Sequence, residues 1–407
     1  MIPRFKPALG TQEILAALRA GDNLDVVRFE TSFAREVGQQ HAVAFPYGRT
    51  GLLMLLKALG LQSAEIICPA YTCVVVPHAI VLSGNFPVFV DSGSDANMDL
   101  DAAEALIGPQ TKALIATSIF GHSVDLDKLA GIQRRHPDLI IVQDCAHSFL
   151  SEWQGEPVHR AGRAAVFGMN ASKMMMSVFG GMVTTDDATL AQRLREIRDH
   201  NVLAAPAGKT IARLLYLLAL YPAFWQPFYG VTETLRQSGL LDRFTRYYDE
   251  NIIDMPRDFL IGMSRLEARV GQIQAMRLRP FVEAHRAYAE FFRNSLAGLT
   301  TLSWIAAPPG SSFSHIAARV ADKRDVMDRA HAAGVQLGEV IEYSIPEMAA
   351  YRSRGSDLRA FPMSAAFSRQ TINLPVAGRF NVKNAERIAK VLRKILEQQP
   401  PVTALPN

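Results

Sequence analysis

Short apolar runs alternate with amphipathic segments through the first half of the 407-residue chain. The runs predict β-strands, and the longer segments between them, at Gly51–Leu61, Asp125–Arg135 and Ala188–His200, predict helices. Continuous apolar strands that alternate with helices indicate an α/β fold, with a mostly parallel central sheet that is covered by helices on both faces. The predicted strands are His41–Phe45, Ala64–Cys68, Pro87–Val90, Ala113–Ser118, Leu139–Gln143, Ala164–Met169 and Gly181–Thr184.

Polar residues follow several of these strands. In open α/β sheets ligands bind at the carboxyl ends of the strands, so these residues are the first candidates for a site. They are Gly48–Thr50, Asp91, His122, Asp144 and Asn170–Lys173.

The pattern changes after His200. Residues 209–232 form a long apolar run that Pro222 and Pro227 interrupt, so a straight membrane-spanning helix is not expected. Helical periodicity resumes at 262–297, and the last hundred residues read as a smaller α/β domain that ends in an amphipathic helix, Val382–Gln398. The predicted division is an N-terminal arm (1–30), a large domain (31–203), an apolar insertion (204–257), connecting helices (258–300) and a small C-terminal domain (301–407).

Composition excludes some classes of function. The net charge is +4, but the arginines are scattered, which argues against nucleic-acid binding. Cys68, Cys73 and Cys145 are odd in number and lack metal-ligand spacing, so we expect neither structural disulfides nor a metal site. The first residues do not have the pattern of a signal peptide, and a cytoplasmic protein is the expectation.

Lys173 is the single formal charge in the stretch from Ala164 to Thr185, where it is surrounded by Met, Phe, Val and Gly. Removing an ammonium group from water lowers its pKa and makes the neutral amine available as a nucleophile. Such an amine forms Schiff bases with aldehydes, of which pyridoxal phosphate (PLP) is the commonest that proteins bind. The alternative is a lysine that extends from a buried loop to the surface. This stretch alone leaves both interpretations open.

Two further features fit a PLP site. Gly48, Arg49 and Thr50 lie between a predicted strand and a predicted helix, where free backbone N–H groups attract phosphate. Asp144 ends another strand, and a carboxylate there can keep a pyridine nitrogen protonated. Each feature has a plain structural alternative, a common strand-to-helix turn and a turn-capping aspartate. Their order along one sheet edge makes the combination stronger than its parts.

The chain resembles the DegT-type aminotransferases, PLP enzymes of fold-type I that aminate keto-sugars of nucleotides. The resemblance runs in consistent order over most of the sequence and continues in LAQRLREIRDHN, FLIGMSRLEARVGQIQ and INLPVAGRFNVKNAERIAKVL. It is carried first by the segments YGRTGLLMLLKALGL, IICPAYTCVVVPHAIVLSGNFPVFVD, SIFGHSVDLDKL, IIVQDCAHS and NASK followed by FGGMVTTDD.

The resemblance implies roles for individual residues. Lys173 would form the Schiff base, Asp144 would pair with the pyridine nitrogen, and His147 would lie near the cofactor ring. Arg49 and Thr50, beside Gly48, would offer backbone contacts to the phosphate. A homodimer is also implied, since family sites resemble composites of two subunits, and Asn201 and Ser264 lie in segments that would reach across.

Two positions depart from the family pattern. Gly168 replaces the serine that usually contacts the phosphate five residues before the lysine, and Cys73 replaces an aromatic residue that stacks on the ring. Tyr71 is close to Cys73, but in an extended segment its side chain points the other way. Asn170 and Ser172 are the candidates that would rebuild the phosphate contacts.

The expected function is therefore PLP-dependent transfer of an amino group from glutamate to a keto-sugar or related carbonyl acceptor. A lysine at position 173, where the dehydratase branch of the family has histidine, favours transamination. A PLP-dependent lyase or dehydratase is the alternative within enzymes, and a non-catalytic binding or regulatory protein is the alternative outside them.

The acceptor is left open between nucleotide-linked and lipid-linked compounds. The run at 209–232 reads either as packing against a partner or the core, or as a peripheral membrane contact at the inner membrane face. Lys209, Arg213 and Arg236 flank the run and suit an anionic surface.

Overall fold

The computed structural model describes residues 1–224, 226–237, 249, 251–352 and 360–406. Its strands are β1 (Phe5–Lys6), β2 (His41–Phe45), β3 (Glu65–Pro69), β4 (Phe86–Val90), β5 (Thr111–Thr117), β6 (Ile140–Asp144), β7 (Glu152–Trp153), β8 (Glu156–Pro157), β9 (Ala164–Gly168), β10 (Gly181–Thr185), β11 (Ser303–Trp304), β12 (Ile316–Arg319), β13 (Thr371–Leu374) and β14 (Val376–Ala377).

Helices connect most of these strands. They are α1 (Thr11–Leu18), α2 (Asp25–Val37), α3 (Gly48–Ala58), α4 (Val75–Leu82), α5 (Leu100–Ala105), α6 (Leu126–Arg135), α7 (Ala188–Asn201), α8 (Ala207–Ala223), α9 (Gln226–Gln237), α10 (Arg265–Ala275), α11 (Leu278–Ser295), α12 (Lys323–Ala332), α13 (Ala349–Arg352), α14 (Pro362–Gln370) and α15 (Val382–Leu396).

The central sheet has seven strands in the order β2–β10–β9–β6–β5–β3–β4. Strand β10 runs antiparallel to β2 and β9, and every other neighbouring pair is parallel. All seven strands predicted from the apolar runs are present in this sheet, with ends shifted by at most two residues. The parallel arrangement brings the carboxyl ends of β2, β3, β4, β5, β6 and β9 to one edge, where the predicted polar residues also lie.

Helices cover both faces of the sheet, as the fold class requires. One face packs against α3, α4 and α7 through side chains such as Leu55, Ile80 and Leu194. The opposite face packs against α2 at one end, through Phe29 and Phe33, and against α6 further along. Asp125 and Asp187 begin α6 and α7 by accepting hydrogen bonds from backbone N–H groups of the first turn.

The C-terminal part has its own antiparallel sheet, β11–β12–β13. Its outer face, which includes Ile316 and Ile372, packs under α11, α12 and α15. Ala317 lies on the opposite face, in a cluster with Tyr71 and Phe120 of the large domain. The inner face of this sheet is therefore the side that approaches the central sheet. The N-terminal arm joins the same unit, since β1 pairs with β14.

The apolar run at 209–232 folds into parts of α8 and α9. Leu217 is fully buried against the segment that follows Lys173, whereas Ile211, Leu215 and Leu218 on α8 remain exposed. No helix among the described residues is long and apolar enough to cross a membrane. Residues 225, 238–248 and 250 of the predicted insertion lie outside the described residues.

The structure corrects the prediction that Lys209 and Arg213 suit an anionic surface. The Lys209 amine donates to the carbonyl oxygens of Ile261 and Gly262, at 2.7 and 3.1 Å. Arg213 forms ion pairs with Asp258 at 2.7 Å and with Glu267 at 3.2 Å. Both cations satisfy internal acceptors because the first turns of α8 pack against the start of α10. The side chain of Arg236 lies outside the described part of the chain.

Candidate active site

Lys173 lies in a loop between β9 and β10 that is fixed by its own hydrogen bonds. The Lys173 N–H donates to the carbonyl of Asn170 at 3.0 Å. The Asn170 side-chain oxygen accepts both the backbone N–H of Ser172 at 3.0 Å and its hydroxyl at 2.6 Å. At the base of the loop, Met169 pairs with Gly180 and Ser177. The hydroxyl proton of Ser172 is therefore used within the loop, which leaves the amide nitrogen of Asn170 as the donor for a ligand.

Asp144 lies at the carboxyl end of β6, within electrostatic range of the Lys173 amine. Burial lowers the pKa of Lys173, while Cys73 and Asp144 favour its charged form. Burial also raises the pKa of Asp144, against the opposing effects of the Ala146 N–H, Lys173 and Thr117. The Asp144 carboxylate accepts from Ala146 N–H at 3.0 Å and from the Thr117 hydroxyl at 3.3 Å. A buried carboxylate and an amine of lowered pKa in one site are typical of proton-transfer chemistry.

Three glycines form a cradle where α3 begins. A Cβ atom on Gly48 would lie 3.0 Å from Gly168 Cα, and one on Gly181 would lie 2.3 Å from Gly48 N. The first hydrogen bond within α3 runs from Gly51 to Tyr47, so the N–H groups of the preceding turn are available to an anion. Glycine at positions 48 and 181 allows the ends of β9 and β10 to approach the helix this closely.

His147 extends the site toward the small domain. Its ring lies 5.0 Å from that of His315, centroid to centroid, and its buried Nδ1 atom has no hydrogen-bond partner among the described residues. Burial lowers the pKa of both imidazoles well below the usual value, and the charge of Lys173 lowers each further. Both rings are therefore neutral near pH 7, which leaves nitrogen atoms that can accept or donate hydrogen bonds.

Of the other predicted site residues, Cys73 lies near Lys173, whereas the Thr50 side chain is used inside the protein. Cys73 belongs to the Lys173 environment, and Tyr71 points away into the core against Phe120 and Phe367, as the alternation of an extended segment predicts. Thr50 is fully buried, and its hydroxyl donates to the Phe259 carbonyl at 3.1 Å, so its contribution to an anion site is limited to its backbone N–H.

Ser264 caps a helix. It is buried and begins α10, where its hydroxyl accepts from the Glu267 N–H and Glu267 accepts from its own N–H. This reciprocal capping accounts for the serine at this position within the chain. Asn201 is exposed at the end of α7, and its amide donates to the Ile197 carbonyl.

His315 is a site residue that no motif in the sequence predicts. The signal that was available is the polar segment SSFSH, which precedes β12 and carries a histidine immediately before an apolar strand. The loop before His315 is held by serines, since the Ser151 hydroxyl bridges the Gly121 carbonyl and Ser312. Placing His315 beside His147 requires knowledge of how the two domains pack, which periodicity does not provide.

A network of charged and polar side chains surrounds Tyr47, next to the glycine cradle. The Tyr47 hydroxyl donates to Asp258 at 2.6 Å, and Arg213 donates to the same hydroxyl at 2.8 Å. The Arg213 guanidinium also lies 4.1 Å from the centroid of the Phe179 ring. Helix α8 is thereby joined to the residue that precedes Gly48 and to the end of the Lys173 loop.

Comparison with known proteins places this geometry in a family. The DegT/DnrJ/EryC1/StrS aminotransferase family matches residues 12–215 and 228–393. The chain belongs to that family. This match confirms the resemblance drawn from YGRTG, IIVQDCAHS and NASK.

Two curated relatives of this DegT-family chain are sugar-nucleotide enzymes by name. It is 34% identical over 209 residues, 49% of its length, to the UDP-4-amino-4-deoxy-L-arabinose--oxoglutarate aminotransferase of Shewanella sediminis. It is 33% identical over 175 residues, 42% of its length, to the GDP-perosamine synthase of Caulobacter vibrioides. The matches span 53% and 47% of those relatives, so the chain matches about half of their length.

Solved structures confirm the fold of the DegT-family chain. DesV of S. venezuelae, solved in complex with a ketimine intermediate, superposes with a TM-score of 0.76 at 22% identity and covers 98% of this chain and 99% of that one. PseC of Helicobacter pylori, an aminotransferase involved in pseudoaminic acid biosynthesis, has a TM-score of 0.76 at 19% identity, with 97% and 99% covered. The fold-type I assignment is therefore correct.

Proposed function

We propose that this chain is a PLP-dependent aminotransferase that moves an amino group from glutamate to a keto-sugar or related carbonyl acceptor. The observation that carries the proposal is the placement of Lys173, with its lowered pKa, beside the buried Asp144 at the carboxyl edge of the sheet. Family membership and the printed names of the two curated relatives support the same activity and suggest amino-sugar biosynthesis.

The residues present fit PLP. The orphaned Nδ1 of His147 and the glycine cradle around Gly48 suit a flat heteroaromatic ring with a phosphate group. Lys173 would hold the aldehyde carbon, Asp144 the pyridine nitrogen, and the N–H groups of Gly48, Arg49 and Thr50 the phosphate, with the amide of Asn170 in reach. When bound, PLP supplies an electron sink for charge that develops at the donor α-carbon.

The remaining steps belong to the protein. The Lys173 amine, once neutral, would take the proton from the donor α-carbon as a general base and give a proton back as a general acid within the same half-reaction. Amination of the acceptor would use the same two roles in reverse order. Asp144 keeps a proton on its partner nitrogen because its carboxylate is held by Ala146 and Thr117. Cys73 is smaller than the aromatic residue that the family usually has at this position, so it fills less of this side of the site.

Absorbance spectroscopy tests the proposal. Purified protein incubated with PLP should absorb in the visible range, and glutamate should convert it to the pyridoxamine form. Lys173→Ala should lose the lysine-linked absorbance, and Lys57→Ala, on the far end of α3, is the control that should keep it. Protein that takes up no PLP would refute the proposal in favour of a non-catalytic binding role. Bound PLP without glutamate-dependent conversion would favour a lyase or dehydratase.

We also propose that the protein works as a homodimer, with domain boundaries as predicted. The exposed leucine and isoleucine side chains of α8 support a protein contact there. Because Lys209 and Arg213 are turned inward, charge gives little support to a peripheral membrane contact of 209–232. Sedimentation velocity and co-sedimentation with anionic vesicles distinguish a protein contact from a membrane contact. A dimer that does not bind vesicles supports the proposal, and a monomer that binds vesicles contradicts it.

A further inference from the structure

An arginine of the N-terminal arm lies on the inner face of the small domain. Gly338 and Asn373 form an antiparallel bridge, with N–H···O distances of 2.8 and 2.7 Å. A Cβ on Gly338 would lie 3.4 Å from Asn373 Cβ and 3.7 Å from both Cβ and Cδ of Arg4. The three residues therefore form one row, in which the absent side chain of Gly338 lets Arg4 lie directly against the backbone.

Strand register shows which way this row faces. Asn373 pairs with Ala317, whose neighbours are Tyr71 and Phe120 of the large domain. Since side chains opposite each other in a pair share a face, Asn373 and its neighbours face the large domain. His315 lies two residues before Ala317 and contacts His147, so the row borders the site around Lys173. In agreement, the charges of Lys173 and Arg4 both lower the pKa of His315, after the larger effect of burial.

Two side-chain donors of this row, the Asn373 amide and the Arg4 guanidinium, have no partner among the residues that the structure describes. Asn373 is 3% exposed, and its Oδ1 accepts from the Val340 N–H at 2.9 Å, but its buried Nδ2 has no hydrogen-bond partner within the described ranges. Arg4 is exposed and makes no ion pair in the described parts of the chain, while its N–H donates to the Gln336 side chain. A buried amide donor without a partner is costly, which points to a ligand that accepts from it.

We propose that Arg4 and Asn373 bind a carboxylate of the amino donor. A planar guanidinium matches a carboxylate with two parallel hydrogen bonds, and the Asn373 amide adds a third donor. The carboxylate is either the α-carboxylate or the side-chain carboxylate of a dicarboxylic amino acid, since both have the same chemistry. This inference deepens the proposed aminotransferase function and rests on it.

Binding to cofactor-free protein tests the site without any chemistry. Glutarate, a dicarboxylate without an amino group, is titrated into the wild type and into Arg4→Gln, Arg4→Lys and Asn373→Asp by calorimetry. We expect Arg4→Gln to weaken binding by about ten- to one-hundred-fold, as the loss of a charge-assisted pair predicts. Arg4→Lys should lose less glutarate affinity than Arg4→Gln. Asn373→Asp keeps the acceptor for the Val340 N–H but should weaken glutarate binding, because the new carboxylate repels the ligand. Arg324→Gln, an exposed arginine on the outer helix α12, is the matched control and should bind as wild type.

Three results would overturn the inference. The first is an equal glutarate affinity in Arg4→Gln and Arg324→Gln. The second is the absence of saturable glutarate binding to the wild type, with or without PLP. The third is a loss of UDP binding in Arg4→Gln while glutarate binding is kept. Circular dichroism and melting temperature confirm that each variant is folded. Single turnovers of the PLP-loaded protein distinguish the two carboxylates. If the site holds the α-carboxylate, Arg4→Gln should slow the reactions of glutamate and glutamine alike. If it holds the side-chain carboxylate, Arg4→Gln should slow the reaction of glutamate alone. Protein that binds glutarate but never PLP would refute the proposed function, whereas glutamate conversion unchanged by Arg4→Gln would refute only the carboxylate site.

Discussion

The imidazole rings of His147 and His315 lie 5.0 Å apart at an interplanar angle of 48°, and they join the large domain to the small one. They belong to a set of buried histidines that the fold keeps neutral. Burial lowers the pKa of His122 to about 3 and that of His285 to about 4. These histidines titrate in the unfolded chain near pH 6.5, but not in the folded one.

We predict that stability falls as the solution is acidified. Below pH 6.5 the unfolded chain binds protons that the buried imidazoles do not, so unfolding becomes more favourable until the folded pKa values are reached. Each such histidine should contribute a loss of about 1 kcal/mol at pH 5.5. Urea midpoints at pH 7.5 and 5.5 measure the effect. His122→Gln should reduce the difference in stability between the two pH values. His200→Gln, on the exposed end of α7, should leave that difference unchanged. An equal difference in the wild type and both variants would contradict this account.

A pair of glycine substitutions tests the cradle. Gly181→Ala should destabilise the protein by more than about 3 kcal/mol, because its Cβ would lie 2.3 Å from Gly48 N and 2.5 Å from Tyr47 C, and neither backbone atom can yield. Gly168→Ala should be tolerated, since its Cβ meets only Ala146 and Lys173 at 3.6 and 3.7 Å. Thermal unfolding compares them, and a mild Gly181→Ala would show that β10 does not approach α3 this closely.

Removing Arg213 should expose the cost of burying Glu267. The carboxylate is 1% exposed in its side chain, and burial raises its pKa although Arg213 opposes this effect. Arg213→Met should therefore destabilise the protein by about 3 kcal/mol. Adding Glu267→Gln should recover part of the loss, because the amide can still accept from the Ser264 N–H. Chemical denaturation of both variants measures this; a double variant no more stable than the single one would contradict the burial argument.

Asp144→Asn should separate cofactor binding from turnover. Asparagine keeps the shape of the side chain and an acceptor for the Ala146 N–H but loses the negative charge beside Lys173. We expect PLP still to bind and the glutamate half-reaction to slow by about a thousand-fold, in the range that loss of a matched acid–base group produces. Stopped-flow absorbance measures the rate. Thr117→Val, which removes only the weaker hydrogen bond to Asp144, should have a much smaller effect; equal losses would contradict a role for the charge.

The sequence predicted most of the large domain because its signals are local. Short apolar runs such as His41–Phe45 and Leu139–Gln143 favour strands buried on both faces. Asp144 lies at the end of such a strand, and Lys173 lies in the loop that follows another. The orientation of β10, the position of His315 and the inward turn of Lys209 and Arg213 depend instead on contacts between distant segments. Charged residues that flank an apolar run look the same in the sequence whether they face solvent or carboxylates, which is why the sequence did not show that Lys209 and Arg213 form internal ion pairs.

The antiparallel course of β10 has a consequence for how the protein acquires its site. Gly181 pairs with Gly168 in a hairpin of neighbouring segments that closes the Lys173 loop, and with Phe45 of a strand that is distant in the sequence. A hairpin forms quickly, whereas pairing between distant segments is slow to form. The Lys173 loop therefore needs only β9 and β10, but the anion cradle also needs β2, and a partly folded chain in which β2 has not joined the sheet holds the lysine without the cradle.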